Sequence, residues 1–138
     1  MQWINTLESL NEMLWRVLLL YFFFVVPFEA LAHELGHYYF QKRFNVQVLI
    51  FRLGLVRIWS KKLSSGTELI LGIIPLGGES RGLGELDDKE RELNNPRSMY
   101  YKDRHPRERF IIAIAGSLLS AGVAVLIGAL YYLSHLVF

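Results

Sequence analysis

From Phe110 to Phe138 the chain runs for 29 residues without an Asp, Glu, Lys or Arg. A helix rises ~1.5 Å per residue, so about 20 such residues cross a hydrocarbon core of roughly 30 Å. Residues 17–40 form a second segment of this kind, uncharged from Val17 to Phe28 and carrying only Glu29 and Glu34 as formal charges. Two runs of this length in 138 residues predict a membrane protein, mainly α, with two antiparallel transmembrane helices and a short membrane-associated β-element between them. The length suits one domain. The absence of cysteine excludes disulfide scaffolds, thiol catalysis and Cys-based zinc sites. A net charge of +2 argues against a nucleic-acid partner.

The chain reads as a single membrane domain, 1–138. Residues 1–13 are expected to form an interfacial helix, with a start signal at Asn5 and Glu8 and with Trp3, Leu7, Leu10 and Leu14 on one face. Residues 14–40 form the first span, with Trp15 at one boundary and Tyr38, Tyr39 and Phe40 at the other. Residues 45–78 form the β-element. Val46–Phe51, Leu55–Trp59 and Thr67–Ile74 read as strands, with turns at Gly54 and Ser64-Ser65-Gly66. Residues 79–109 read as a charged surface loop, and 110–138 as the second span, with Tyr131 and Tyr132 near its end. Fourteen of the 15 Lys and Arg lie between Lys42 and Arg109. Residues 41–109 are therefore expected on the cytoplasmic side and both termini opposite. A cleaved leader ending at Ala30-Leu31-Ala32 is disfavoured, because its leading segment is not basic and cleavage would export all fourteen cations.

The chemistry-bearing string is His33-Glu34-Leu35-Gly36-His37, at the end of the first span. Positions i and i+4 share a helix face, so two imidazoles at this spacing can hold one Zn²⁺. Glu34 is then placed to act as general base on a water. Ionisable groups at the edge of a membrane helix are costly without partners or a function. Glu29, one turn before His33, is a candidate outer partner of a ligand histidine, or it faces a cavity or a partner helix. Pro27 is expected to kink the first span. Gly116, Ser120, Ala124 and Gly128 recur every fourth residue, a spacing that suits close helix packing. His135 lies at the far end of the second span, too distant to be a ligand in the same chain.

Three segments carry a resemblance. Ala32-His33-Glu34-Leu35-Gly36-His37-Tyr38-Tyr39 resembles the first zinc motif of the site-2 proteases, the intramembrane zinc metalloproteases of the regulator-of-sigma-E type. Ile74-Pro75-Leu76-Gly77-Gly78-Glu79 resembles the Pro-Leu-Gly-Gly end of that family's membrane-associated β-region. Arg109-Phe110-Ile111-Ile112-Ala113-Ile114-Ala115-Gly116 resembles the start of its next membrane helix. The match is to the family's N-terminal half, from about residue 14 to 138. Two departures stand out. Ser117 and Ser120 replace the Pro and Asn of the family's Pro-x-x-Asn. The family's third zinc ligand, an Asp in a Leu-Asp-Gly motif on a later helix, has no counterpart here, since Leu86-Asp87-Asp88 lies in the charged loop.

The resemblance implies a zinc metalloprotease that hydrolyses peptide bonds of a transmembrane protein substrate, with His33 and His37 as zinc ligands and Glu34 as the catalytic base. It also implies an integral protein of the bacterial inner membrane or of an organelle membrane. Asp103, His105 and Glu108 are candidates for the third ligand. Alternatively a homo-oligomer or a larger membrane partner completes the site. The competing reading is a non-enzymatic membrane subunit, a pseudoprotease that keeps the scaffold within a larger complex. An edge of the β-element can hold an unwound substrate in extended form. The lipid bilayer is the remaining partner expected.

Overall fold

The computed structural model describes residues 2–85 and 99–137. The chain opens with α1 (Gln2–Leu20), passes through one π-helical stretch (Tyr21–Val25), and continues as α2 (Val26–Arg43) without a break. The boundary expected at residue 13 does not interrupt the helix. The π stretch lies just before Pro27, where the Val26 N–H reaches back to the Tyr21 carbonyl. Proline has no N–H to give the ladder, and widening the preceding turn absorbs the mismatch.

At its C-terminus α2 stops by a Schellman closure. The Val46 N–H bonds to Gln41 O (2.8 Å) and the Asn45 N–H to Lys42 O (3.1 Å). Asn45 takes the left-handed conformation this requires, at φ 56°. Lys42 and Arg43 in the last turn complement the helix dipole.

Two long strands follow, β1 (Val48–Lys62) and β2 (Glu68–Gly82), in place of the three short strands expected. They pair antiparallel from Lys62↔Glu68 to Leu55↔Ile74, and again from Leu53↔Gly78 to Val48↔Gly82. Residues 50–53 have further partners at 68–71, with numbers rising together, so this part of β1 is flanked on both sides. The hairpin is thus folded over on itself. Gly54 is the bend in β1 and not a turn between strands. Its φ is +82°, and a Cβ there would stand 2.7 Å from Ile74 O. The expected turn at Ser64–Gly66 is present, closed by Gly66 N–H to Leu63 O and Leu63 N–H to Thr67 O. Thr67, fully buried, donates its hydroxyl to Val48 O at 2.9 Å and ties the turn to the strand start.

The expected loop 79–109 is shorter than read. Residues 79–82 extend β2, and a short 3₁₀ turn (Tyr101–Asp103) leads into α3 (Pro106–Val137). Leu86-Asp87-Asp88 lies outside the described residues. Backbone bonds from Gln47 to Met99, Leu83 to Gln47, and Tyr101 to Leu83 stitch this return segment to the strand ends. Val46, Val48, Leu83 and Tyr100 are buried beneath it.

The helices α2 and α3 run antiparallel: His37 meets Ile112, and Gly36 meets Ala115 and Gly116. A Cβ on Gly36 would lie 2.5 Å from Ala115 O, so glycine is what lets the backbones touch. Glu8–Arg43 and Pro106–Leu136 are both long and apolar enough to cross a membrane. Of the small-residue series on α3, Gly116 alone lies buried at the helix contact; Gly128 has open space around it. The others line an open groove of about 460 Å³ with Val25, Phe28, Glu29 and Ile127. Ser120 Oγ is buried in that region without a hydrogen-bond partner.

Candidate metal centre and its walls

The pair His33 and His37 stands one helical turn apart on the α2 face that meets α3. Their Nε2 atoms converge to 3.1 Å. Two nitrogens bound at about 2.05 Å to one tetrahedral ion lie roughly 3.3 Å apart, so this separation fits a shared zinc within a few tenths of an ångström. The His37 Nδ1–H donates to Ile112 O at 2.7 Å, which leaves Nε2 with the free lone pair. Gly116 supplies the room. A Cβ there would fall 2.6 Å from His33 Nε2 and would also collide with His37 Nε2. The donor set, its tautomer and the space before it all suit a metal ion.

Glu34 is 8% exposed, on the same α2 face as His37 and under β2. Gly78 lies directly on its side chain, where a Cβ would stand 3.1 Å from Glu34 Cδ. The charge of His37 acts on the Glu34 carboxylate, as do those of Glu79 and Arg52 from the sheet. Arg52 itself is held by Glu79 at 2.6 Å. Glu34 and His37 share a half-polar pocket of about 300 Å³ with Gln41, Ser80, Glu85 and Tyr101. The three segments singled out in the sequence are therefore three walls of one site: α2 carries the histidines, the Gly77-Gly78 stretch of β2 covers Glu34, and Ile112 and Gly116 of α3 back the histidines.

Glu29 lies one turn before His33, acts on it through charge and faces the interhelical groove. The three candidates for a further ligand stand at the start of α3. Asp103 ends the 3₁₀ turn. Glu108 accepts the His105 backbone N–H at 3.1 Å, and His105 Nδ1 accepts the Arg107 N–H at 3.2 Å. His105 and Glu108 thus cap the helix. Among the described residues no group of three or more His, Cys, Asp or Glu comes together as a metal site. His135 packs edge-to-face against Tyr131 at the far end of α3.

Sequence reasoning missed Gln41 and Ser80. Gln41 is 1% exposed; its Nε2 donates to Ser80 O at 2.9 Å, and Ser80 Oγ donates to Gln41 Oε1 at 3.0 Å. The available signal was spacing, since Gln41 follows His37 by four residues and Glu34 by seven, on the same helix face.

The family model for peptidase family M50 matches residues 21–136. The chain belongs to peptidase family M50. Three bacterial relatives, each named "Putative zinc metalloprotease", align with most of it. The one from Xylella fastidiosa strain Temecula1 is 35% identical over 107 residues, 75% of this chain and 23% of the relative. The one from Thermotoga maritima is 36% identical over 123 residues, 85% of this chain and 22% of the relative. The one from Helicobacter pylori strain J99 is 31% identical over 106 residues, 75% of this chain and 30% of the relative. The chain thus spans between a fifth and a third of the length of these M50 relatives. Membership agrees with the site-2 protease resemblance carried by the three segments, and the relatives' names support zinc as the metal.

Proposed function

We propose that this M50 chain carries the histidine–glutamate part of an intramembrane zinc metalloprotease site that cleaves transmembrane protein substrates. The observation that carries the reading is the convergence of two imidazole Nε2 atoms to 3.1 Å, one with its tautomer set by Ile112 O, beside a buried Glu34. His33 and His37 would hold the zinc. Bound there, the metal supplies a Lewis acid that polarises a peptide carbonyl and acidifies water. Glu34 accepts the proton of the attacking water on its carboxylate and returns it to the departing amide nitrogen. Desolvation against Gly78 and α3 excludes bulk water from that transfer. An exposed edge of the folded hairpin receives the unwound substrate by β-addition. Leu55, Val56, Ile58, Trp59, Ile73 and Leu76 of the hairpin are exposed, which supports contact with lipid at the membrane surface. The concentration of basic residues in 42–109 supports a cytoplasmic hairpin in a bacterial inner membrane or an organelle membrane.

A catalytic zinc takes three protein ligands and a water. Only two stand together among the described residues, which supports completion by a further polypeptide segment, in a homo-oligomer or a larger membrane partner. The same observation favours the second reading, a non-enzymatic subunit that keeps the scaffold. The test is Glu34→Gln, assayed for zinc content and for cleavage of a transmembrane peptide, alone and with co-purifying partners. Retained zinc with cleavage reduced about 10²-fold or more supports a base role. Undiminished cleavage by the variant overturns it, and absence of cleavage from every wild-type preparation favours the non-enzymatic subunit.

A further inference from the structure

Glu29 stands 13 residues after Arg16 and 13 before Lys42, the nearest basic residues on either side of it in the chain. Along a helix that is about 20 Å each way, which puts the carboxylate near the middle of a hydrocarbon core. The side chain is exposed, and no hydrogen bond or ion pair joins it to a described residue. It lines the open groove of about 460 Å³ between α2 and α3, whose walls are mostly apolar, with Val25 and Phe28 beside it on the helix. Ala124 and Gly128 line the facing wall, and a Cβ at Gly128 would meet nothing. Ser120 Oγ, buried in the same region, also lacks a hydrogen-bond partner.

We propose that this groove seats a transmembrane helix of a partner chain, one that carries a lysine or arginine at mid-membrane and pairs it with Glu29. The proposal rests on reading α2 and α3 as membrane spans, and it gives a chemistry to the membrane partner proposed above. A carboxylate at the centre of a bilayer is costly unless it is paired. A lipid tail offers neither charge nor donor at that depth. A helix does, because it satisfies its own backbone and can carry a polar side chain to the centre. Small residues on the groove wall let such a helix approach closely. A second copy of this chain is the wrong occupant on charge. It brings another Glu29 to that depth and no cation, since residues 17–41 and 110–138 contain no Lys or Arg. A cation on the incoming helix supplies the opposite charge and the donor together.

The experiment measures energy transfer in phosphatidylcholine vesicles between the labelled full chain and three synthetic leucine–alanine helices, which carry lysine, leucine or glutamate at the centre. The lysine helix should associate about tenfold or more tighter than the leucine helix, the factor a hydrogen bond to a charged group is worth. The glutamate helix should bind most weakly. Glu29→Gln keeps the shape and loses the charge, and should erase the preference for lysine. Glu29→Lys should reverse it in favour of the glutamate helix. Gly128→Phe fills the groove, leaves Glu29 in place and should weaken binding of the lysine helix about tenfold. Equal association of the lysine and leucine helices overturns the proposal, as does a lysine preference that survives Glu29→Gln. Undiminished binding by Gly128→Phe overturns the groove as the seat. Transfer between two copies of the chain that Gly128→Phe abolishes and the lysine helix does not displace would assign the groove to a second copy, and would overturn the proposal too. Protease protection of both spans is measured in the same vesicles. Unprotected spans overturn the membrane reading and this proposal with it, whereas protected spans without a lysine preference overturn this proposal alone.

Discussion

His37 Nδ1 lies 2.7 Å from the carbonyl oxygen of Ile112, so the backbone of one long apolar helix selects which imidazole nitrogen the other helix offers to a metal. A carbonyl can only accept, which assigns the proton to Nδ1 and the lone pair to Nε2. The contact needs α2 and α3 to approach as closely as Gly36 and Gly116 allow.

That approach makes Gly116 sensitive to any added side chain. In Gly116→Ala the new methyl meets His33 Nε2 at 2.6 Å and His33 Cδ2 at 2.7 Å, so both rings must turn aside. Zinc or cobalt affinity should fall about 10- to 100-fold, the range found when the surroundings of a ligand are disturbed. Cobalt absorption titrations check this, with circular dichroism to confirm that the helices persist. Wild-type affinity in the variant would mean that the rings do not meet the metal in this orientation.

Val56 tells a different story. It is a β-branched residue at φ 55°, next to the Gly54 bend, and it is 63% exposed. The left-handed region costs such a residue roughly 1–2 kcal/mol, and an exposed side chain recovers little by packing. Val56→Gly should therefore raise the unfolding midpoint by an amount equivalent to about 1 kcal/mol. Thermal unfolding in micelles measures it. A lower midpoint would show that the valine earns its place through lipid contact.

Tyr101 governs a pH response. Burial pushes its hydroxyl above the ordinary tyrosine range; the Glu85 charge adds to this and the Arg109 charge partly offsets it. Below about pH 10 the hydroxyl is protonated in folded and unfolded chains alike, and its contribution is fully present. Above that the unfolded chain ionises first, so stability falls as pH rises towards the folded value. Tyr101→Phe should flatten the stability profile as pH rises above the ordinary tyrosine value of about 10, relative to wild type. Parallel profiles for the two proteins would refute the assignment.

How much of this was legible in the chain follows from what each signal measures. Charge-free runs report burial in lipid or protein, so both long helices were visible. The spacing of His33 and His37 reports a helix face, so their convergence was visible too. Strand ends were not. Gly54 read as a turn because glycine signals positive φ, but the sequence does not say whether positive φ ends a strand or bends it. Residues 79–82 read as loop from their charges, yet Arg52 and Glu79 pair across the sheet and carry the strand onward. Ser120, Ala124 and Gly128 have the spacing of a packed helix face and line a groove instead. Spacing says which side chains share a face; it does not say how far the partner helix follows. Gln41 escaped notice because its partner lies 39 residues away in another element.

The last prediction concerns sidedness. The folded hairpin packs against α2 at the end where α2 stops, and α3 returns antiparallel from that end. Ser64 sits exposed in the hairpin turn, and Ser134 is exposed near the other end of α3. From Gly116, level with His33, to Ser134 is 18 helical residues, or about 27 Å at 1.5 Å each, close to the thickness of a hydrocarbon core. The 14 basic residues between Lys42 and Arg109 support the cytoplasmic hairpin proposed above. The chain has no cysteine, so one introduced at Ser64 or Ser134 reports without background. In intact cells a membrane-impermeant maleimide should label the Ser134→Cys variant and should reach Ser64→Cys only after the membrane is opened. The reverse pattern would invert the topology while leaving the two spans intact. Labelling of both from one side would mean that α3 does not cross, and the antiparallel pair would then have to lie within a protein or along the membrane surface.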